Sequence, residues 1–258
     1  MTPPPGAPLY QVRGVGKSFG DRAILESIDL DIKRAEFLCW IGESGTGKSL
    51  LAKILLGLVP PDRGTIHFDG TDVTQFRERE WLEIRRRVGV LLQSSGLFDS
   101  VNVFENVAYG LKEQRVLTLD EMKQRVAESL AQVGLPGIEA MMPGELSGGM
   151  RKRVALARAI AMRPEVLFYD GPTEGLDPIN VARVNRLLLR LRDQLGITTI
   201  VITHQMETAF GAADRVLLVA DGRIALEGTP RELWGSKVPE LQPFLRIARD
   251  VIDAPRAG

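Results

Sequence analysis

Apolar residues follow two rhythms along this chain, and the rhythms take turns. Ile28-Asp29-Leu30-Asp31-Ile32 alternates strictly between apolar and polar, the period of a strand with one buried face. With Leu9 to Val15 it predicts an antiparallel sheet near the N-terminus. Phe37 to Ile41, Val88 to Leu92 and Val166 to Tyr169 are continuous apolar runs, which predict strands covered on both faces. Thr198 to Ile202 reads as a fourth core strand. Helical stretches lie between them. Lys48 to Leu58 stops before Pro60-Pro61, and Asn102 to Gln114 is a second stretch. Thr118 with Glu121 forms a capping box for a helix ending near Gly134. Ser147 caps a helix to about Met162, and Pro178 to Leu195 is closed by Gly196. Val216 to Ala220 and Ile224 to Glu227 flank Asp221-Gly222, a hairpin turn.

Strands alternating with helices predict an α/β fold with a mostly parallel sheet. An N-terminal antiparallel β subdomain precedes it, and a helical subdomain is inserted at about residues 94–150. Residues 1–8, rich in proline, are expected to be a disordered lead. No apolar run approaches the roughly 18 residues that span a bilayer, and MTPPPGAP lacks the features of a signal peptide. The chain is therefore expected to be cytoplasmic. Lys plus Arg and Asp plus Glu number 33 each, so net charge gives no reason to expect nucleic acid. The single cysteine, Cys39, is expected to be a buried strand thiol. Arg151-Lys152-Arg153, just inside a helix, reads as a solvated face.

The chemistry enters at Gly42-Glu43-Ser44-Gly45-Thr46-Gly47-Lys48-Ser49. This string fits the phosphate loop G-x-x-x-x-G-K-[S/T] without mismatch and stands between a strand and a helix, as that loop requires. Its glycines let the backbone N–H groups face one anion, and the helix start adds its positive end. Lys48 is expected on the β- and γ-phosphates, and the Ser49 hydroxyl on Mg²⁺. Val166 to Tyr169 ends at Asp170, whose carboxylate is placed to hold the same metal.

The phosphate loop together with Leu146-Ser147-Gly148-Gly149-Met150 resembles the nucleotide-binding subunit of an ATP-binding cassette (ABC) transporter. The resemblance covers residues 9 to 230 and implies a phosphate-loop NTPase core, with 231–258 as a C-terminal extension. It implies ATP and Mg²⁺ as cofactors. It also implies a head-to-tail dimer with a second copy, in which Ser147, Gly148 and Gly149 cover the γ-phosphate of the other subunit. Phe19 matches the adenine-stacking aromatic, Gln93 the residue reaching metal and water, Asp177 the loop following the Asp170 strand, and His204 the switch histidine. One position departs from the family: after Asp170, where such ATPases carry the glutamate that polarises water, this chain has Gly171. Hydrolysis is therefore expected to be impaired. Glu174 is the nearest other acid and is expected to face elsewhere.

A single cassette without long heptads or zinc modules resembles a transporter motor more than the soluble ABC ATPases of DNA repair or translation. LSGGM, Gly96 to Tyr109, Leu176 to Ile179 and the tail from Val238 to Arg249 are similar to the ATPase of the bacterial phospholipid (maintenance of lipid asymmetry) system. That likeness implies a separate membrane permease, a lipid-binding carrier protein, and a peripheral place on the cytoplasmic face of the inner membrane. The apolar stretch Leu97 to Phe104 in the helical subdomain, downstream of Gln93, is the expected docking segment for the permease. The ATPase of a polar-solute importer is the alternative.

Overall fold

A computed structural model describes residues 7–91, 96–115, 117–173 and 177–252. Gln93 and Glu174 lie outside these residues, as do residues 1–6 of the expected lead. The chain opens with β1 (Tyr10–Phe19) and β2 (Arg22–Ile32), then β3 (Phe37–Ile41) and α1 (Lys48–Leu55). Next come β4 (Arg63–Phe68), β5 (Thr71–Asp72), α2 (Glu78–Arg86) and β6 (Val88–Leu91). Helices α3 (Val103–Gln114), α4 (Leu119–Gln132) and α5 (Gly148–Ala161) follow. Strand β7 (Val166–Asp170), α6 (Pro178–Leu195), β8 (Thr198–Ile202) and α7 (Met206–Gly211) complete the central part. The chain closes with β9 (Arg215–Ala220), β10 (Arg223–Gly228), α8 (Pro230–Trp234) and α9 (Gln242–Val251).

The strands form two sheets. One is antiparallel, in the order β2-β1-β4-β5; the other has six strands in the order β10-β9-β3-β8-β7-β6. In the second sheet β9, β3, β8, β7 and β6 run parallel, and only β10 is antiparallel, to β9. The period-two alternation of side chains explains why these strands read as unbroken apolar runs. Phe37, Cys39 and Ile41 of β3 join Leu167, Tyr169 and Val201 in a core shared with α3, α5 and α6. Leu38 and Trp40 face the other way, with Phe168, Ile200 and Leu217, onto α1, α2 and the antiparallel sheet. Cys39 is fully buried, as expected.

Element ends follow local chemistry. Thr118 and Glu121 make the expected capping box on α4, and Asn102 caps α3. Helix α1 stops at Leu55, three residues short of the expected Leu58. Gly57 adopts φ +64°, its N–H reaches the Ile54 carbonyl, and the Leu58 N–H reaches that of Lys53. This pair of bonds is a Schellman stop. The face of Trp81 lies so close to Gly57 that a Cβ would meet its ring at 2.0 Å. Helix α2 has no clear sequence signal, since only Trp81 and Ile84 of its nine residues are buried.

The run Arg151-Lys152-Arg153 is not the solvated face expected of it. All three residues are only partly exposed. Lys152 Nζ donates to the Pro172 carbonyl at 3.4 Å, and Arg153 Nη1 donates to the carbonyls of Val133 and Gly134. Lys152 and Arg153 thus reach neighbouring loops, while the apolar side of α5 packs against α3 and α4.

Candidate functional site

The turn after β3 uses backbone angles open mainly to glycine: φ is +145° at Gly42, +82° at Gly45 and +101° at Gly47. Two of these positions are also enclosed. A Cβ on Gly42 would lie 2.2 Å from the Val219 carbonyl oxygen, and one on Gly47 2.5 Å from Leu25 Cδ2. Thr46 Oγ1 donates to the Glu43 carbonyl at 2.9 Å and closes the turn, leaving Glu43 and Ser44 exposed. Helix α1 begins immediately afterwards, so its first N–H groups lack partners further back in the helix and carry its positive end.

Lys48 is buried within this turn. Its ammonium donates to the carbonyls of Gly42 at 2.8 Å and Glu43 at 2.7 Å, and to Thr46 Oγ1 at 3.3 Å. Burial lowers its pKa, and the Asp170 carboxylate works in the opposite direction. Ser49 Oγ donates to Asp170 Oδ2 at 3.1 Å. Asp170 ends β7 beside Ile202 of β8, and His204 follows two residues later with its side chain exposed. Gly45, Lys48, Ser49, Asp170 and His204 line one half-open cleft of about 480 Å³ at the carboxyl ends of the parallel strands.

The other expected site residues lie apart from that cleft. Phe19 ends β1 and is exposed, with Lys17 Nζ 5.7 Å from its ring centroid, and it does not line the cleft. Ser147 is the N-cap of α5 and accepts from the Met150 N–H at 3.2 Å; Gly148 and Gly149 follow, all three exposed. Asp177 caps α6 by accepting from the Asn180 N–H at 3.0 Å, a bond that lowers its pKa. Gly171 is buried at φ +63°, and its N–H donates to the Ile202 carbonyl at 2.8 Å.

Sequence reading missed a polar chain just behind His204. The buried hydroxyls of Thr173 and Thr208 lie 3.5 Å apart, and Thr208 donates to Asn185 Oδ1 at 3.0 Å. Gln205 Nε2 donates to the Thr173 carbonyl at 3.1 Å. The chain ties the segment after β7 to α6 and α7. Its members are too far apart in sequence to form a local motif.

Among the described residues, no helix is long and apolar enough to cross a membrane. Comparison with known proteins agrees with the geometry of the cleft. The ABC transporter family profile matches residues 25–174. The intermembrane phospholipid transport system ATP-binding protein MlaF of Haemophilus influenzae is 38% identical over 242 residues, covering 94% of this chain and 92% of that protein. The probable ribonucleotide transport ATP-binding protein mkl of Mycobacterium leprae is 39% identical over 239 residues, covering 93% of this chain and 69% of that one. A bacterial ABC transporter cassette with a dimeric structure superposes with a TM-score of 0.78 at 30% identity, covering 86% of this chain and 99% of the cassette. The same cassette has also been solved in a post-hydrolysis state bound to ADP and Pi. With a phosphate loop, a strand-end carboxylate and a histidine in one cleft, and these relatives along nearly all its length, the chain belongs to the ABC transporter family as an ATP-binding cassette ATPase.

Proposed function

We propose that the chain is the motor subunit of a transporter that moves phospholipid through a separate permease, using ATP and Mg²⁺. The observation that carries the nucleotide chemistry is the bond between Ser49 and Asp170 beside the Lys48 ammonium. A hydroxyl and a carboxylate are hard oxygen donors, and two of them suit Mg²⁺, which takes its remaining ligands from water and phosphates. Among the described residues no group of three or more His, Cys, Asp and Glu forms an all-protein cage. Ser49 and Asp170 would hold the metal, with Gln93 by family resemblance. Once bound, Mg²⁺ neutralises charge on the phosphate oxygens and fixes their orientation.

Lys48 then exchanges the Gly42 and Glu43 carbonyls for phosphate oxygens, and His204 faces the terminal phosphate. Phe19 offers its exposed ring to the base, whose stacking is worth about 1–3 kcal/mol. The Ser147, Gly148 and Gly149 cradle lies outside the cleft, so it serves a second copy, and Asp177 is assigned to the same dimer junction by family resemblance. The dimeric cassette among the relatives supports this arrangement. Gly171 offers no side chain to position water, so hydrolysis is slow while binding and closure persist.

Phe98 and Tyr109 are exposed on the helical part with ring centroids 4.9 Å apart, a surface fit for the permease. The MlaF relative's name supports phospholipid as cargo. A lipid-binding carrier as a further partner and a peripheral place on the inner membrane follow from the family resemblance. A polar-solute importer is the second reading, favoured by the mycobacterial relative's name. Co-purification with the permease, followed by mass spectrometry of bound lipid, separates the two: phospholipid supports the first reading, and its absence with a bound polar solute supports the second. Light scattering should show dimers driven by ATP that Ser147→Arg abolishes. Unchanged closure in that variant refutes the head-to-tail arrangement.

A further inference from the structure

A second cleft, of about 1050 Å³, runs along α6. One wall is α6 from Asn180 to Asp193, and the other is the end of α4 with the first turns of α5. Its charge is one-sided. Lys152, Arg153, Arg183, Arg186 and Arg190 line it, and among the described lining residues the carboxylate is Asp193, which is already paired with Arg192 at 2.8 Å. Arg183, Arg186 and Arg190 are three and four residues apart, so they share one face of α6.

Among the described residues, none of the four arginines has a carboxylate partner. Arg153 bonds the carbonyls of Val133 and Gly134, Arg183 the Asn180 side-chain oxygen, and Arg186 the Ala182 carbonyl. Burial, and then the nearby Arg183, disfavour the charged form of Arg153, as expected where cations crowd together. Acidic and basic residues are equal in number over the whole sequence, which makes this concentration of cations local and specific. Val184 and Leu187 form part of the lining, and apolar walls strengthen any charge pairing made against them.

We propose that this cleft binds a small linear polyanion of linked phosphates, held by Arg153, Arg183, Arg186 and Arg190. Guanidinium forks match phosphate oxygens two at a time, which an ammonium does not. Arg183 and Arg190 are about 10 Å apart along the helix axis, too far for one phosphate to bridge. Within the lining, Arg190 lies about 15 Å along α6 from Asn180. Because its walls are α6 on one side and α4 with α5 on the other, an occupant clamps them together.

Calorimetric titration of the full chain in metal-free buffer tests the site, with sodium tripolyphosphate, orthophosphate and a hexaglutamate peptide as titrants. Tripolyphosphate should bind at least tenfold more tightly than orthophosphate. Arg186→Glu with Arg190→Glu should weaken it at least tenfold, whereas Lys48→Met should retain the cleft's share of binding. Arg186→Lys with Arg190→Lys keeps charge and fold while removing the forks, and should fall between. Tripolyphosphate binding that is absent, or equal in the wild-type chain and both double variants, overturns the proposal. Tighter binding of hexaglutamate than of tripolyphosphate also overturns it, and assigns the cleft to an acidic protein segment.

Discussion

Ser49 and Asp170 meet at 3.1 Å although 121 residues separate them. The sheet order explains the meeting: β3 and β7 flank β8 as parallel neighbours, so their carboxyl ends open on the same edge. Crevices at that edge are where ligands bind in open α/β sheets. The bond brings a hydroxyl and a carboxylate oxygen side by side, which is the pair proposed above to hold the metal.

Ser49→Ala should therefore weaken binding of Mg·ATP at least tenfold, about 1.4 kcal/mol. Binding of ATP in EDTA should change less than threefold. Titration with a fluorescent nucleotide reads both. An equal loss with and without metal would show that the hydroxyl serves only the loop's own structure.

Gly42→Ala should damage the loop before any ligand arrives. Its φ of +145° is closed to residues with a side chain, and the added Cβ would lie 2.2 Å from the Val219 carbonyl. Strain of this kind costs about 1–3 kcal/mol. In a chain of this size each kcal/mol lowers Tm by about 2–4 °C. Differential scanning calorimetry should show a drop, and nucleotide affinity should fall with it. An unchanged Tm would mean that the loop relaxes freely.

The buried ammonium of Lys48 gives a pH signature. Its folded-state pKa is lowered, first by burial, so between that value and the ordinary ~10.4 the unfolded chain binds more protons than the folded one. Stability without nucleotide should then rise with pH through that window as far as Lys48 is concerned. Subtracting the urea-denaturation profile of Lys48→Met isolates this contribution, since the other alkaline groups are common to both proteins. A difference profile that is flat or falls with pH would contradict the burial penalty.

The strand cores and the phosphate loop were legible because their signals are local. Five consecutive apolar residues in Phe37 to Ile41 allow little but a strand covered on both faces, and the glycine spacing before Lys48 follows from the angles the turn needs. Helix α2 was not legible, because Trp81 and Ile84 become meaningful only once Gly57 leaves room for the indole. The cationic cleft was hidden for a similar reason. Arg153 lies in one charge run and Arg190 in another helix, and only the fold brings them to one cleft.

Asn106 is a further case, fully buried in α3 and invisible to pattern reading. Its side chain accepts from the Phe98 N–H at 2.8 Å and donates to the carbonyls of Phe98 at 3.0 Å and Val101 at 3.1 Å. It thus fixes the loop that presents the exposed Phe98 ring. Asn106→Leu keeps the bulk but leaves those backbone groups unpaired, at a cost of about 1–3 kcal/mol. Cysteine cross-linking from position 98 to the permease should weaken, while affinity for ATP holds. Cross-links that survive intact in this variant would show that Asn106 is not what holds Phe98 in place for the permease.

Gly171 sets the last expectation. A positioned base contributes typically 10²–10⁴-fold in rate, about 2.7–5.4 kcal/mol of barrier. Gly171→Glu supplies one, but its backbone stands at φ +63°, where a side chain costs about 1–2 kcal/mol. That cost falls on stability and should lower Tm by several degrees at about 2–4 °C per kcal/mol. The gain falls on the chemical step, and steady-state ATPase activity should rise at least tenfold. Gly171→Ala separates the two effects, because it carries the same backbone strain without a carboxylate; it should lose Tm and gain no rate. Glu174→Ala should change turnover little. A chain that already hydrolyses ATP briskly and stops on Glu174→Ala would place the catalytic base at Glu174, and equal rate gains in the Ala and Glu variants would trace the effect to the backbone.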